Sequence, residues 1–220
     1  MPQDQEGAQA LEPNDRKKME RRRMPRQKRA QHTVEAILEA TERLASNHGF
    51  GALNTRLIAD RAGVGIGSLY QYFPTYEAIL LALYERASTE AAKQVRLSTI
   101  EVIDVSMREA LTTAIRRLLD IYTDQRLVLI DLPIEVPQVE EVIRYTSLEV
   151  LNRGNIRLYL SHHPEFDLAN IDRHVFFIET LINAMLRRYV REAPEFYTPH
   201  MLVDEIRDSI MAYLDGQRTE

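Results

Sequence analysis

The 220-residue sequence contains no cysteine and no tryptophan. The missing cysteine excludes disulfides, thiolate metal sites and thiol catalysis, and a reducing compartment is its natural setting. Only eight glycines are present, and runs of β-branched residues are few, which favours helices over sheets. No apolar run approaches the roughly 20 residues of a membrane span. The N-terminus is polar and charged and lacks the apolar core of a secretory signal. These absences predict a cytoplasmic chain with no membrane association. No glycine-rich phosphate loop, Ser/His/Asp spacing or nucleophile elbow occurs, so no enzyme and no cofactor is expected. The neighbours His162 and His163 would point in different directions from a helix end, so no metal site is expected either.

What is present is a core-forming content of 45% hydrophobic residues and a lopsided charge distribution. The net charge of −5 argues mildly against a general nucleic-acid binder. Residues 1–76, however, carry 12 Lys and Arg against 9 Asp and Glu, a net of +3, whereas residues 77–220 carry 16 against 24, a net of −8. Arg16, Lys17, Lys18, Arg21, Arg22, Arg23, Arg26, Lys28 and Arg29 form a cationic run interrupted by one acid, Glu20. One reading is a solvated tail. The reading favoured by its position is an arm that tracks phosphates or enters a minor groove. Residues 1–28 are polar, with three prolines, a composition that does not order in isolation.

Helical periodicity begins near Gln31. Val34, Ile37, Leu38, Thr41, Leu44 and Ala45 recur at three and four, one face of a helix that Gly49 terminates. Asn54 or Thr55 caps a second helix carrying Leu57, Ile58 and Ala62 on its apolar side. Gly63 follows as the turn, where a positive φ is cheap only for glycine. A third helix runs from about Gly65 or Ile66 to Phe73, and Pro74 closes it. Leu69 and Phe73 face inward. Ile66, Gly67 and Ser68 stand at its N-terminus, where base edges are met, with Tyr70, Gln71 and Tyr72 one turn on. Gln71 suits adenine, Ile66 a thymine methyl, and the tyrosine hydroxyls suit phosphates. Two short helices across a tight turn make a helix-turn-helix, which lays its second helix in the major groove.

The joint pattern is more specific than the turn alone. It comprises Thr33-Val34-Glu35-Ala36-Ile37-Leu38, Gly49-Phe50, Ile58-Ala59 with Ala62-Gly63-Val64, Gly67 through Pro74, and Glu77-Ala78-Ile79-Leu80. These residues strongly resemble the DNA-binding domain of TetR-family transcriptional regulators, over about a quarter of the chain. The resemblance implies an all-α homodimer reading a near-palindromic operator in double-stranded DNA. It implies three parts: a basic arm at 1–28, a helix-turn-helix domain at 29–76, and a helical domain at 77–220 for effector binding and dimerisation. Carried onto this chain, it puts Thr55 and Arg56 on the DNA backbone or a base. It puts Ile66, Gly67, Ser68 and Gln71 at the groove, and Tyr70 and Tyr72 on phosphates. Arg26, Lys28, Arg29 and Thr33 are similar to the entry of the first helix in one branch of the family. The fourth helix of the family opens with a cation beside the phosphates. Here that place is Tyr76, which leaves only a hydroxyl.

The remaining helices are expected at about 75–97, 102–123, 125–131, 138–161, 168–190 and 199–214, with Pro133 and Pro137 breaking the middle of the series. Tyr122, Arg126, Arg144, Tyr145, Tyr159 and Phe177 combine cations and hydrogen-bonding rings among apolar neighbours, as a small-molecule pocket requires. The last two helices carry long apolar stripes, Val175, Ile178, Ile182, Met185 and Tyr189 on one and Leu202, Ile206 and Ile210 on the other. Paired with a second copy they would form a four-helix interface; a monomer would bury them internally. The function expected is a repressor released from its operator by a small-molecule effector. The alternatives are a DNA-organising protein of similar fold governed by a protein partner and, last, a helical enzyme.

Overall fold

The computed structural model describes residues 28–99, 105–139, 143, 146–162 and 170–217. Among these residues all regular structure is helical, as the scarcity of glycine and of β-branched runs predicts. The chain divides into two compact units between Ala82 and Leu83.

In the first unit, α1 (Lys28–His48) buries the predicted stripe from Val34 to Ala45. Gly49 ends it at φ 73°, its N–H bonded to the Ala45 carbonyl at 2.8 Å. A 3-10 turn at Phe50–Ala52 then drives the Phe50 ring fully into the core. The side chain of Asn54 caps α2 (Thr55–Ala62) by accepting the Leu57 N–H at 3.0 Å, which satisfies one of the orphan donors of a helix start. Gly63 adopts φ 67° and closes the helix through the Asp60 carbonyl, while the Val64 N–H reaches Ala59 at 3.0 Å. α3 (Ile66–Tyr72) follows, and Leu69 and Phe73 are fully buried beneath it. Leu57, assigned to the apolar side of α2, is instead partly exposed, and Ile58 and Ala59 fill the interior. α4 (Tyr76–Thr99) opens with the Thr75 hydroxyl accepting the Ala78 N–H, and it contributes residues to both units.

In the second unit, α5 (Met107–Asp124) begins with a capping box. The Ser106 hydroxyl accepts the Glu109 N–H, and the Glu109 carboxylate accepts the Ser106 N–H at 3.1 Å. A π-helical stretch, Leu127–Asp131, leads directly into the short α6 (Leu132–Glu135). Pro133 therefore does not break the chain there: it lies in the first turn of α6, and the Leu129 carbonyl, four residues before it, is met instead by Arg187 at 2.9 Å. The helix expected over 138–161 is shorter. A 3-10 turn occupies Pro137–Val139, and α7 (Ser147–Ser161) starts after Thr146, whose hydroxyl bonds the Ile143 carbonyl at 2.8 Å.

α8 (Ile171–Glu192) packs against α5, α7 and α9 (Pro199–Asp215). That arrangement corrects the interface expected from the last two helices. Val175, Ile178, Ile182, Leu202, Ile206 and Ile210 are buried by this chain's own helices, so they are not a face for a second copy. Met185 and Tyr189 are half-buried, and the Tyr189 ring meets Tyr197 edge-on. An apolar stripe reports that something covers it, and in this fold α5 and α7 are near enough to do so. What α8 turns outward is Arg173, Phe176, Thr180, Ala184 and Arg188.

Candidate nucleic-acid interface and ligand cavity

With Leu69 and Phe73 anchoring α3, the opposite face of that helix is free. Ile66, Gly67, Ser68, Tyr70 and Gln71 are exposed and Tyr72 is half-buried. α2 contributes Thr55, half-buried, and Arg56, exposed and without an ion pair among the described residues. The Thr55 and Tyr70 hydroxyls meet at 3.0 Å, tying the start of α2 to the middle of α3. Lys28 and Arg29 are exposed on the first turn of α1, and the Thr33 hydroxyl bonds back to the Arg29 carbonyl at 3.1 Å. Arg26 and the rest of the basic run to Arg16 lie outside the described residues. Tyr76 is half-buried and its hydroxyl donates to the Phe50 carbonyl at 2.7 Å. The group in the family's cation position thus has its proton engaged inside the fold.

The second unit holds a cavity of about 140 Å³, open at one side. One wall is α5, with Ala110, Leu111, Ala114 and Leu118, and with Arg117 at the exposed rim. The facing wall is α7, whose Asn152, Asn155, Ile156 and Tyr159 fall at helical spacing on one side. Ile178 and Ile182 of α8 close the floor, and no acidic side chain among the described residues lines the space. Asn152 is only 8% exposed, and its Nδ2 is buried without a hydrogen-bond partner. Such an orphan donor costs about 1–3 kcal/mol unless something occupies the cavity to accept from it.

Of the six residues expected to line a pocket, Tyr159 does so. Arg144 and Tyr145 lie outside the described residues. Phe177 stacks on Tyr213 at 4.0 Å, and Arg126 is taken up by Asp131 at 3.4 Å and by the Arg191 carbonyl. Tyr122 sits in a buried polar cluster instead. Its hydroxyl donates to the Asn183 Oδ1 at 2.8 Å, and Arg187 lies 5.2 Å over its ring. Arg187 also donates to Glu149 at 2.9 Å and to the Leu129 carbonyl at 2.9 Å. Asn183 completes the Glu149 carboxylate at 3.3 Å. Burial pushes the Tyr122 phenol well above its ordinary range and raises that of Tyr84, so both remain protonated. Arg117 and Asn152 were not singled out from the sequence. Asn152 had a signal: it stands four residues after Leu148 and four before Ile156, a polar residue between apolar ones on one helix face.

Comparison with known proteins places this geometry. The profile of "Bacterial regulatory proteins, tetR family" matches residues 37–83. Over 50 residues the chain is 44% identical to the HTH-type transcriptional repressor KstR of Mycobacterium tuberculosis, covering 23% of each chain. The KstR of Rhodococcus jostii gives the same identity over 50 residues, 23% of this chain and 24% of that one. The match therefore spans about a quarter of those relatives' length. A TetR-family regulator from Streptomyces coelicolor superposes with a TM-score of 0.60 at 25% identity, covering 84% of this chain and 99% of its own. A putative TetR-family regulator from Mesorhizobium loti reaches 0.66 at 14% identity, over 88% and 100%. The exposed α3 face thus lies within the segment shared with known repressors, and the helical second unit within a fold shared with solved TetR-family chains. Residues 37–83 of the chain are thus similar to the segment that defines the TetR family of bacterial regulatory proteins.

Proposed function

We propose that this protein is a sequence-specific transcriptional repressor. In this reading a dimer holds one α3 in the major groove of each half of a near-palindromic operator, and a small molecule in the second unit releases it. The observation that carries it is the two-sided α3: Leu69 is fully buried while Ile66, Gly67, Ser68, Tyr70 and Gln71 are exposed, inside the segment matched to the family. These exposed groups have no role in the core, and their chemistry suits base edges and phosphates. Thr55 and Arg56 join them, Tyr72 and the arm residues Arg26, Lys28 and Arg29 supply backbone contacts, and Tyr76 contributes to the fold of the reader more than to the DNA. The likeness of the reader segment to KstR supports repression over activation.

The domain limits of this reading are an arm to about residue 28, the reader, and an effector and dimer unit from about residue 77. A dimer is favoured because one short recognition helix holds DNA weakly and a palindrome needs two. Its contact is the outward face of α8, where Phe176 is 71% exposed beside Thr180 and Ala184. Selection of bound duplexes from random sequence tests the function. A palindrome with half-sites about one helical turn apart, roughly 34–36 Å, is expected. Recovery of no preferred sequence would overturn it.

A further inference from the structure

We infer that the cavity between α5 and α7 takes an apolar monocarboxylate whose hydrophobic body is about the size of one ring or a medium alkyl chain. The inference rests on the reading of the second unit as an effector domain. Three observations converge on it. The walls are aliphatic but for a few polar groups, and the space of about 140 Å³ is close to that of apolar cavities that admit benzene, about 150 Å³. Among the described residues no carboxylate lines the space, so a cationic ligand would find no partner among them. The one charge at its rim among the described residues is Arg117, an exposed guanidinium that forms no ion pair with any of them.

The polar groups are placed unequally. Arg117 stands on α5 at the open side, where a carboxylate keeps part of its hydration while accepting two N–H bonds. Asn152 stands on α7 with its Nδ2 buried and unmet. An oxygen on the ligand body would accept that N–H and remove the cost of leaving it orphaned. The cavity therefore selects at two points. Charge is read at the rim by Arg117, and a hydrogen-bond acceptor is read in the interior by Asn152.

The test uses the full-length chain with two acid–amide pairs, phenylacetate with phenylacetamide and octanoate with octanamide. Each pair matches in shape and differs in charge. Binding is followed by isothermal titration and by the rise in melting temperature that mass action produces. Each acid is expected to bind about tenfold or more tightly than its amide, the advantage of a charge-assisted contact. Arg117→Gln, an exposed position, should erase that difference while leaving amide binding in place. Asn152→Leu should leave the acid–amide ratio intact and erase any gain from adding a 4-hydroxyl to phenylacetate. Amides binding as tightly as acids, an Arg117→Gln chain that retains the preference, or no binding by any of the four would overturn the proposal. Release of operator DNA is measured alongside. Binding of an acid without release would keep the carboxylate site and remove the effector reading; release by the amides alone would do the reverse.

Discussion

At the scale of single residues, the first unit depends on a few groups with one function each. Gly63 sits at φ 67° with open space where a Cβ would stand. Strain in the backbone, and not collision, is what any side chain would introduce there. Gly63→Val should cost about 1–2 kcal/mol or more, the penalty of a left-handed L-residue, and thermal melting measures it. Tyr76 stands where the family resemblance implies a cation, and its bond to the Phe50 carbonyl shows what the hydroxyl does there. Tyr76→Phe should lower stability by about 0.5–1.5 kcal/mol, because one of the two hydrogen bonds to the Phe50 carbonyl is lost while that from the Leu53 N–H remains, with little change in the salt dependence of DNA binding. A large drop in salt dependence in that variant would show that Tyr76 works at the phosphates after all. Thr55 and Tyr70 share one hydrogen bond at 3.0 Å. Removing either hydroxyl by Thr55→Val or Tyr70→Phe should therefore weaken DNA binding by nearly as much as removing both, an interaction a double-mutant cycle reads directly.

At the scale of elements, a capping residue makes a helix start legible. Asn54 before α2 does so and forms the expected bond, whereas Ser106, three residues before Glu109, caps α5 at Met107 and not at the start expected near residue 102. Hydrogen bonds from the Ser106 side chain and backbone hold the Glu109 carboxyl below its ordinary value. The folded value is thus below the unfolded one, so this contribution is complete above the unfolded carboxylate range, about pH 4.3, and is lost as pH falls through the folded value. Between pH 5 and pH 3 the melting temperature of the native chain should fall further than that of Glu109→Gln, which has no carboxylate to protonate. Helix partners are less legible than helix starts. The stripe from Val175 to Ile182 is plain in sequence, yet periodicity does not say whether α5 and α7 or a second chain covers it. Tyr122 reads as a hydrogen-bonding ring, but its partners Asn183 and Arg187 lie more than sixty residues away, a separation that only the packed fold closes. Arg117 reads as an ordinary surface cation, because nothing within one helical turn reveals the cavity beside it.

At the scale of the whole molecule, the second unit is organised around the Arg187–Glu149 pair. Glu149 accepts from both Arg187 and Asn183, and Arg187 also meets Leu129 and Tyr122. Breaking a buried pair from one side leaves a charge without its partner, at a cost of about 3–5 kcal/mol. Arg187→Met and Glu149→Leu should each destabilise by about that amount, whereas the double substitution should cost less than the sum of the two, read by urea unfolding. The charge asymmetry of the chain acts at the same scale. Deleting residues 1–27 should flatten the plot of log K against log salt by about 0.9 for each phosphate that the arm neutralises, and an unchanged slope would reduce the arm to a tail. The π-helical stretch at Leu127–Asp131 has a consequence of a different kind. Within it the Leu129 carbonyl, which Pro133 has no N–H to meet, accepts from Arg187. Removing one residue from it would restore an α-helical register and rotate everything on one side by about 100°. Surface loops absorb insertions and deletions, but at this stretch the count of residues is itself under constraint. Relatives that keep the Arg187 contact should be free to vary its side chains, and not its length.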